Sequence, residues 1–272
     1  MAPQPLEPTA NTRELPPALS VVVPLHDEAE NVRPLALEIR DALEGKVAYE
    51  IVYVDDGSTD NTWIAIQDLT GELPRLRAIR HAACAGQSTA IATGVAFARA
   101  PVIATLDGDG QNDPADIAKL IEVFDAATDR QRLLVAGQRA KRRDTFVKRL
   151  SSRVANGVRS RMLGDRTPDT GCGLKVFDRN AFLVLPHFDH MHRFLPALFL
   201  RNGGRVVSVP VNHRPRARGV SKYGLFDRLW IGIVDLFGVM WLKNRRMMPE
   251  IAEVATGDMP SDGENPNAGA DG

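Results

Sequence analysis

The chain has 272 residues, 44% hydrophobic and 25% charged, with 34 basic and 34 acidic side chains and a formal net charge of zero. This is an ordinary globular composition, long enough for one sizeable core or two small ones. Two cysteines, Cys84 and Cys172, exclude a disulfide scaffold; without a Cys-x-x-Cys pattern they read as buried thiols of a reducing compartment.

Residues 1–17 are proline-rich, lack a basic-then-apolar signal pattern and read as a flexible N-terminus. LSVVVPL (19–25) predicts a buried strand ended by Pro24. Residues 29–44 carry apolar side chains at helical spacing and stop at Gly45. YEIVYVDDGS (49–58) is a second strand breaking at a turn, and STDNTWIAIQDL begins a helix capped by Ser58 or Asp60. RLRAIR (75–80) is a third strand. Residues 86–100 form a helix of small residues, suited to close packing on a sheet. PVIATLDGD (101–109) is a fourth strand, Pro114 opens a helix over 115–126, and RLLVAGQR (132–139) is a fifth strand. This βαβ rhythm predicts an α/β fold, a mostly parallel central sheet with helices on both faces and ligands at the strand C-terminal ends. Further on, 147–163 reads as a basic helix, 173–182 as a short strand leading into a helix, 190–202 as a helix and 204–211 as a strand. NHRPRARGVSKYG is a polar, basic loop. One domain with an elaborated second half fits this better than two free domains.

Charge is unevenly placed. Nine Lys/Arg lie between Arg139 and Arg161 against one acid, Asp144, and a second basic stretch spans Arg201–Arg228. Two local patches in a neutral chain point to a defined anionic ligand rather than nucleic acid, the plainer alternative being a solvated face. The acids cluster at two predicted strand ends, Asp55-Asp56 and Asp107-x-Asp109. Carboxylates so placed repel unless a cation lies between them, and a hard divalent ion with oxygen ligands suits them. No His/Cys cluster has zinc spacing, and neither a G-x-G-x-x-G nor a Walker sequence is present. Asp113 before Pro114 reads first as a helix N-cap, and the Gln111 amide suits a neutral polar group better than a metal.

The segments VVVPLHDEAEN, VDDGSTDNT, AGQSTAIATGVAFA, LDGDGQNDP and GCGLKVFDR, in this order, resemble the inverting family 2 glycosyltransferases of the A-type fold. Within that family the chain is similar to the polyprenyl-phosphate sugar synthases, the dolichyl-phosphate mannose synthase relatives, over about residues 18–245. The resemblance implies transfer of a sugar from a nucleotide-sugar donor to the phosphate of a polyprenyl phosphate, with inversion. The alternative is a saccharide hydroxyl acceptor. It implies Mg2+ or Mn2+ held at Asp107 and Asp109 with Gln111 beside it. It places Pro24, Glu28 and Asp55 at the nucleoside, and Arg139 at the acceptor phosphate. Arg218, Ser221 and Lys222 would be anion contacts from a closing loop. Two positions depart from the family: Asp27 and Cys84 stand where Asn is common.

A greasy acceptor implies a membrane surface, so the resemblance implies a peripheral enzyme at the cytoplasmic face of the cell membrane. The run between Arg228 and Lys243 is too short, and too interrupted by Asp235, to span a bilayer. Phe226, Trp230, Ile233, Phe237 and Trp241 recur at helical spacing opposite Arg228 and Asp235. Residues 223–250 therefore predict an amphipathic interface helix after a catalytic domain at 18–222. Packing on the core or on a second subunit is the plainer alternative, which leaves a homo-oligomer open. Residues 251–272 read as a disordered acidic tail.

Overall fold

The computed structural model describes residues 16–139, 157, 159–165, 167–215 and 225–245. Residues 1–15 of the predicted N-terminal arm (1–17), most of the basic helix predicted over 147–163, the loop bearing Arg218, Ser221 and Lys222, and the tail fall outside the described residues.

Seven strands form one sheet: β1 (Leu19–Leu25), β2 (Tyr49–Asp55), β3 (Leu76–Arg80), β4 (Val102–Thr105), β5 (Leu133–Arg139), β6 (Lys175–Asp178) and β7 (Arg205–Val211). Their order is β3-β2-β1-β4-β6-β5-β7. β3, β2, β1 and β4 are mutually parallel, β6 is antiparallel to both neighbours, and β5 and β7 pair in parallel. The helices are α1 (Ala29–Leu43), α2 (Thr62–Thr70), α3 (Gln87–Phe97), α4 (Ile117–Asp125), α5 (Arg179–Leu183), α6 (Leu195–Arg201) and α7 (Leu225–Lys243). The mostly parallel sheet with helices on both faces matches the sequence reading.

Strand periodicity sorts the core. Val21, Val23, Leu25, Ile51 and Tyr53 join Leu35, Ile39, Ile66, Leu120 and Phe124 on the face of α1, α2 and α4. Their neighbours Val22, Val52 and Val54 join Ile91, Val95, Phe177, Phe199 and Val239 on the other face. Each such large side chain contributes about 1.5–3 kcal/mol by leaving water. The small residues of α3 serve close packing: a Cβ on Gly94 would fall 2.4 Å from Val22 Cγ1.

Element ends differ from the sequence reading where side chains divert the backbone. β2 stops at Asp55 and β4 at Thr105, because the following acidic segments turn into loops. Pro114 opens a 3-10 turn (Pro114–Asp116) ahead of α4, with the Asp113 side chain accepting the Ala115 N–H as the predicted cap. The predicted helix 190–202 divides into a 3-10 turn at Met191–Arg193 and α6, with Pro196 in the first turn of α6. Cys172 is buried as expected, but Cys84 is exposed: it lies in the loop after β3, beyond the core.

α7 has two faces. Val239 is buried, and Leu236, Met240 and Leu242 pack on the core beside it. Arg201 donates to the carbonyls of Leu242 and Arg245 at the helix end. Val234, Phe237 and Trp241 are 54%, 55% and 60% exposed along the opposite stripe. Of the predicted apolar stripe, Phe237 and Trp241 are exposed, beside Val234, which the sequence reading did not include; the side chains of Phe226, Arg228, Trp230 and Ile233 lie outside the described residues. No described helix is long and apolar enough to cross a membrane.

At the other end of the sheet, Glu50 is 1% exposed. Burial would raise its carboxyl, but Ser20 Oγ at 2.6 Å, the Arg99 N–H at 2.6 Å and the Arg99 and Arg77 guanidinium groups outweigh it and hold it below its ordinary 4.5. Glu50→Ala strands these donors and is expected to cost about 2–3 kcal/mol in urea unfolding at pH 7. A carboxyl depressed on folding contributes stability above its unfolded value and loses it as pH falls through its folded value. The gap between wild type and variant therefore narrows as pH falls below 4.5; a constant gap would show that the ionised carboxylate contributes nothing.

Candidate active site

The chain leaves β1 toward β2 and β3, and returns to place β4 on the opposite side of β1. Ligands bind at such switch points, outside the strand C-terminal ends. Pro24 pairs with Val54 and Leu25 with Asp55, so two of the sequence-derived candidates share this edge. Asp55 is fully buried. Its Oδ1 accepts the Ser58 N–H at 3.0 Å, while Oδ2 lies 3.0 Å from Arg80 Nε as an ion pair outside hydrogen-bond geometry. Arg80 stacks over the Trp63 ring at 5.7 Å.

The loops after β1 and β2 interlock. The Asp27 N–H donates to Ser58 Oγ and the Glu28 N–H to Thr62 Oγ1, both at 2.9 Å. Asp27 Oδ1 accepts the Thr59 N–H at 2.7 Å, which holds Asp27 in a left-handed backbone at φ 51°. Glu28 Oε2 accepts the Asn31 amide at 2.6 Å. Asp56 instead gathers the loop after β3, accepting from His81 Nδ1, the Ala85 and Gly86 N–H groups and the Cys84 thiol. Burial would raise its carboxyl; these donors together hold it below the usual range.

Asp107 and Asp109 follow β4 directly. A Cβ on the intervening Gly108 would fall 2.6 Å from the Pro24 carbonyl oxygen and from Leu25 Cδ2, so the loop crosses the end of β1 at backbone contact. On the other side, a Cβ on Gly173 would sit 2.3 Å from the Asp107 carboxylate. Gln87 Nε2 donates to Asp107 Oδ1 at 2.8 Å. Burial first, then the charge of Asp109, push the Asp107 carboxyl up to about 6 against the pull of Lys175, Arg139 and Gln87. Two neighbouring carboxylates offering oxygen ligands, in a cradle kept open by two glycines, fit a hard divalent cation.

Arg139, at the end of β5, is held by a residue that sequence reasoning missed. Its Nε and Nη2 donate to the two oxygens of Asp169, each at 2.7 Å, and its N–H adds a third bond. This pairing raises the guanidinium above its ordinary value. Lys175, opposite Thr105 in the sheet, is 3% exposed and donates to the Cys172 carbonyl oxygen; burial lowers its ammonium, opposed by Cys172, Asp107 and Asp169. Gln87, Asp169 and Lys175 thus join the candidates. The order of GCGLK was visible in the sequence, but the antiparallel insertion of β6 beside β4, which brings that segment to Asp107, was not.

The stretch after β7 straps the acidic loop. Asn112 and His213 form an isolated β-bridge, and the Arg214 N–H donates to the Gln111 carbonyl at 2.9 Å. Arg214 pairs with Glu38 at 2.6 Å and Asp113 at 2.8 Å. The Gln111 side-chain amide is turned to the Arg214 carbonyl, 3.5 Å away, and the Gln111 N–H donates to Asp109 Oδ1 at 3.1 Å. Arg218, Ser221 and Lys222 lie beyond this strap, outside the described residues.

Several known proteins are similar to this chain in sequence or in fold. A family model described as Glycosyl transferase family 2 matches residues 20–185. A dodecaprenyl-phosphate galacturonate synthase of Rhizobium johnstonii is 35% identical over 239 residues, 85% of this chain and 69% of that protein. An undecaprenyl-phosphate 4-deoxy-4-formamido-L-arabinose transferase of Edwardsiella ictaluri is 33% identical over 211 residues, 76% of this chain and 63% of that protein. A crystal structure of glucosyl-3-phosphoglycerate synthase from Mycobacterium tuberculosis with Mn2+, UDP and phosphoglyceric acid superposes at TM-score 0.63 and 17% identity, covering 86% of this chain and 80% of that one. At that identity the likeness shows the fold, an A-type glycosyltransferase architecture.

Gly173→Ala is expected to leave the protein folded, with a circular dichroism spectrum like wild type, and to cut turnover at least about a hundredfold by displacing Asp107. Turnover within twofold of wild type would mean that the close approach does not position the carboxylate.

Proposed function

Since the chain belongs to glycosyl transferase family 2, and its reaction is a nucleotide-sugar-dependent glycosyl transfer, we propose that its acceptor is the phosphate of a polyprenyl phosphate. The observation that carries this reading is Arg139, whose guanidinium is held in place by Asp169 near Asp107. The relatives named for dodecaprenyl- and undecaprenyl-phosphate products support it. A phosphate monoester, with a second pKa of about 6, is largely a dianionic nucleophile at neutral pH and needs no general base. The enzyme must instead hold it against an anionic donor, a task for guanidinium groups. Arg139 gives Nε and Nη2 to Asp169, which fixes the plane of its guanidinium and leaves Nη1 for an acceptor oxygen.

Asp107 and Asp109 would hold Mg2+ or Mn2+, with Gln111 beside them, and the ion would supply Lewis-acid stabilisation of the departing diphosphate. Pro24, Glu28 and Asp55 would line the nucleoside. Arg218, Ser221 and Lys222 would contact phosphate from the loop after the Arg214 strap. Attack from the face opposite the leaving group inverts the anomeric centre.

A second reading, transfer to a hydroxyl, is favoured by the same fold carrying phosphoglyceric acid in the mycobacterial enzyme and by the commitment of Arg139 to Asp169. A matrix of sugar nucleotides against polyprenyl phosphate, phosphoglycerate and free saccharides, with products read by mass spectrometry, decides between them. The polyprenyl-phosphate monosaccharide is expected, abolished by EDTA and by Asp109→Ala. A sugar linked only to hydroxyl acceptors would replace this reading with the second.

The exposed stripe of α7 gives such an enzyme its contact with a membrane, at the cytoplasmic face where the donor is dissolved. Val234, Phe237 and Trp241 form an apolar line with the Arg245 guanidinium 5.5 Å over the Trp241 ring, a pattern suited to an anionic lipid interface. Phe237→Ser with Trp241→Ser is expected to release the protein from anionic vesicles in flotation. It should lower turnover at least about tenfold on acceptor embedded in vesicles, and by less than twofold on a short, soluble isoprenyl phosphate. Equal losses on both acceptors would assign the stripe a folding role.

A further inference from the structure

Cys84 stands at a position where the family commonly has Asn, and it is exposed beside two groups that bind metals. A ring nitrogen of His26, a carboxylate oxygen of Asp56 and the Cys84 sulfur all lie within 4.8 Å of one another. They come from three separate segments: the end of β1, the end of β2 and the loop after β3. The geometry points to a second divalent-cation site here, selective for a thiophilic ion such as zinc or cadmium and separate from Asp107 and Asp109.

Three features beyond proximity carry this. Cys84 Sγ and Asp56 Oδ2 are 3.3 Å apart, joined by the thiol proton. In a tetrahedral site with metal–sulfur about 2.3 Å and metal–oxygen about 2.1 Å, the two ligand atoms lie roughly 3.6 Å apart. The pair therefore already has nearly the spacing of chelating ligands. The ion takes the place of the proton: the S–H bond breaks, Sγ and Oδ2 each bond to the metal, and one proton leaves to solvent. Second, a metal-ligating histidine usually donates its other ring N–H to a carbonyl or carboxylate. His26 Nδ1 lies 2.9 Å from the Asp56 carbonyl oxygen, which can only accept, so an Nδ1–H there orients the ring, and Nε2 lies 3.8 Å from Asp27 Oδ2. Third, the scaffold is fixed before any ion arrives. The Ala85 N–H and His81 hold Asp56 Oδ1, the Gly86 N–H donates to Oδ2, and a Cβ on Gly57 would fall 2.5 Å from the Cys84 backbone nitrogen.

Ligand softness separates the two sites. Oxygen-only Asp107 and Asp109 suit magnesium or manganese, whereas nitrogen, oxygen and thiolate together suit zinc or cadmium. Only Ala85 and Gly86 separate Cys84 from Gln87, whose amide holds Asp107. An ion at Cys84 would thus bear directly on the segment that positions the Asp-x-Asp pair.

The test is titration of the full-length, magnesium-free protein with cadmium, followed by the ultraviolet thiolate-to-cadmium charge-transfer band. One equivalent should produce the band. Cys84→Ser should abolish it with an unchanged melting temperature, and His26→Gln should weaken cadmium binding at least about tenfold. Cys172→Ser and Asp109→Asn should both keep it. Absence of the band in the wild type, its persistence in Cys84→Ser, or its loss in Cys172→Ser with a wild-type melting profile would each overturn the assignment.

Discussion

The Asp107 carboxylate and the Gly173 backbone approach so closely that a methyl group cannot stand between them. That contact exists because β6 enters the sheet antiparallel between β4 and β5, setting Lys175 opposite Thr105. The Thr105 hydroxyl donates to the Gly173 carbonyl at 2.6 Å and closes the seam. Once β6 is there, the segment before it must pass the mouth of β4, and its side chains become the wall of the acidic site. Asp169, Cys172 and Lys175 reach the site by this route.

Charge then organises the wall. Asp107 is partly buried and lies near the charge of Asp109, so its carboxyl rises to about 6 despite two nearby cations. Those cations are not free to collapse onto it. Arg139 is held in a fork by Asp169, and Lys175 by the Cys172 carbonyl. Neighbouring carboxylates suit a divalent ion, where direct salt bridges to Asp107 would have filled the site. His192 shows the same restraint: burial, with Lys175, Arg193 and His190 nearby, drives it down to about 3, so it stays neutral. Its Nδ1 can then accept from the Ser88 hydroxyl at 2.8 Å.

The first half of the molecule was legible because its signals are local. Val-rich strands of period two, the Pro114 helix start and the Asp113 cap all follow from neighbours in sequence. The strand-end positions of Asp55, Asp107 and Asp109 followed from the same pattern. What sequence could not show depends on pairing across the sheet. Nothing near Asp169 in sequence signals Arg139, and nothing near Gln87 signals Asp107. Cys84 was misplaced for a related reason: cysteine is buried more often than most residues, but a loop held by Asp56 lies outside any apolar periodicity. Gln111 was read by its amide chemistry as suited to a neutral polar group and, through the resemblance, as a neighbour of the metal; its side-chain nitrogen lies 3.5 Å from the Arg214 carbonyl.

The strap from Asn212 to Arg214 joins these local and non-local features. It has no apolar anchor of its own; it is held by charge and backbone bonds. The Asn212 N–H donates to the buried Asp116 at 2.6 Å, Arg214 spans Glu38 and Asp113, and the bridge to Asn112 lies between them. Asp113 therefore serves twice, as cap for the turn at Pro114 and as anchor for Arg214. Because the Arg214 backbone also meets Gln111, any displacement at the root of the basic loop is felt one bond away by Asp109, whose Oδ1 accepts the Gln111 N–H. Exposed ion pairs contribute little stability singly. Their value here is geometric, since they fix the acidic loop and the start of the basic loop in a single register at the edge of the sheet.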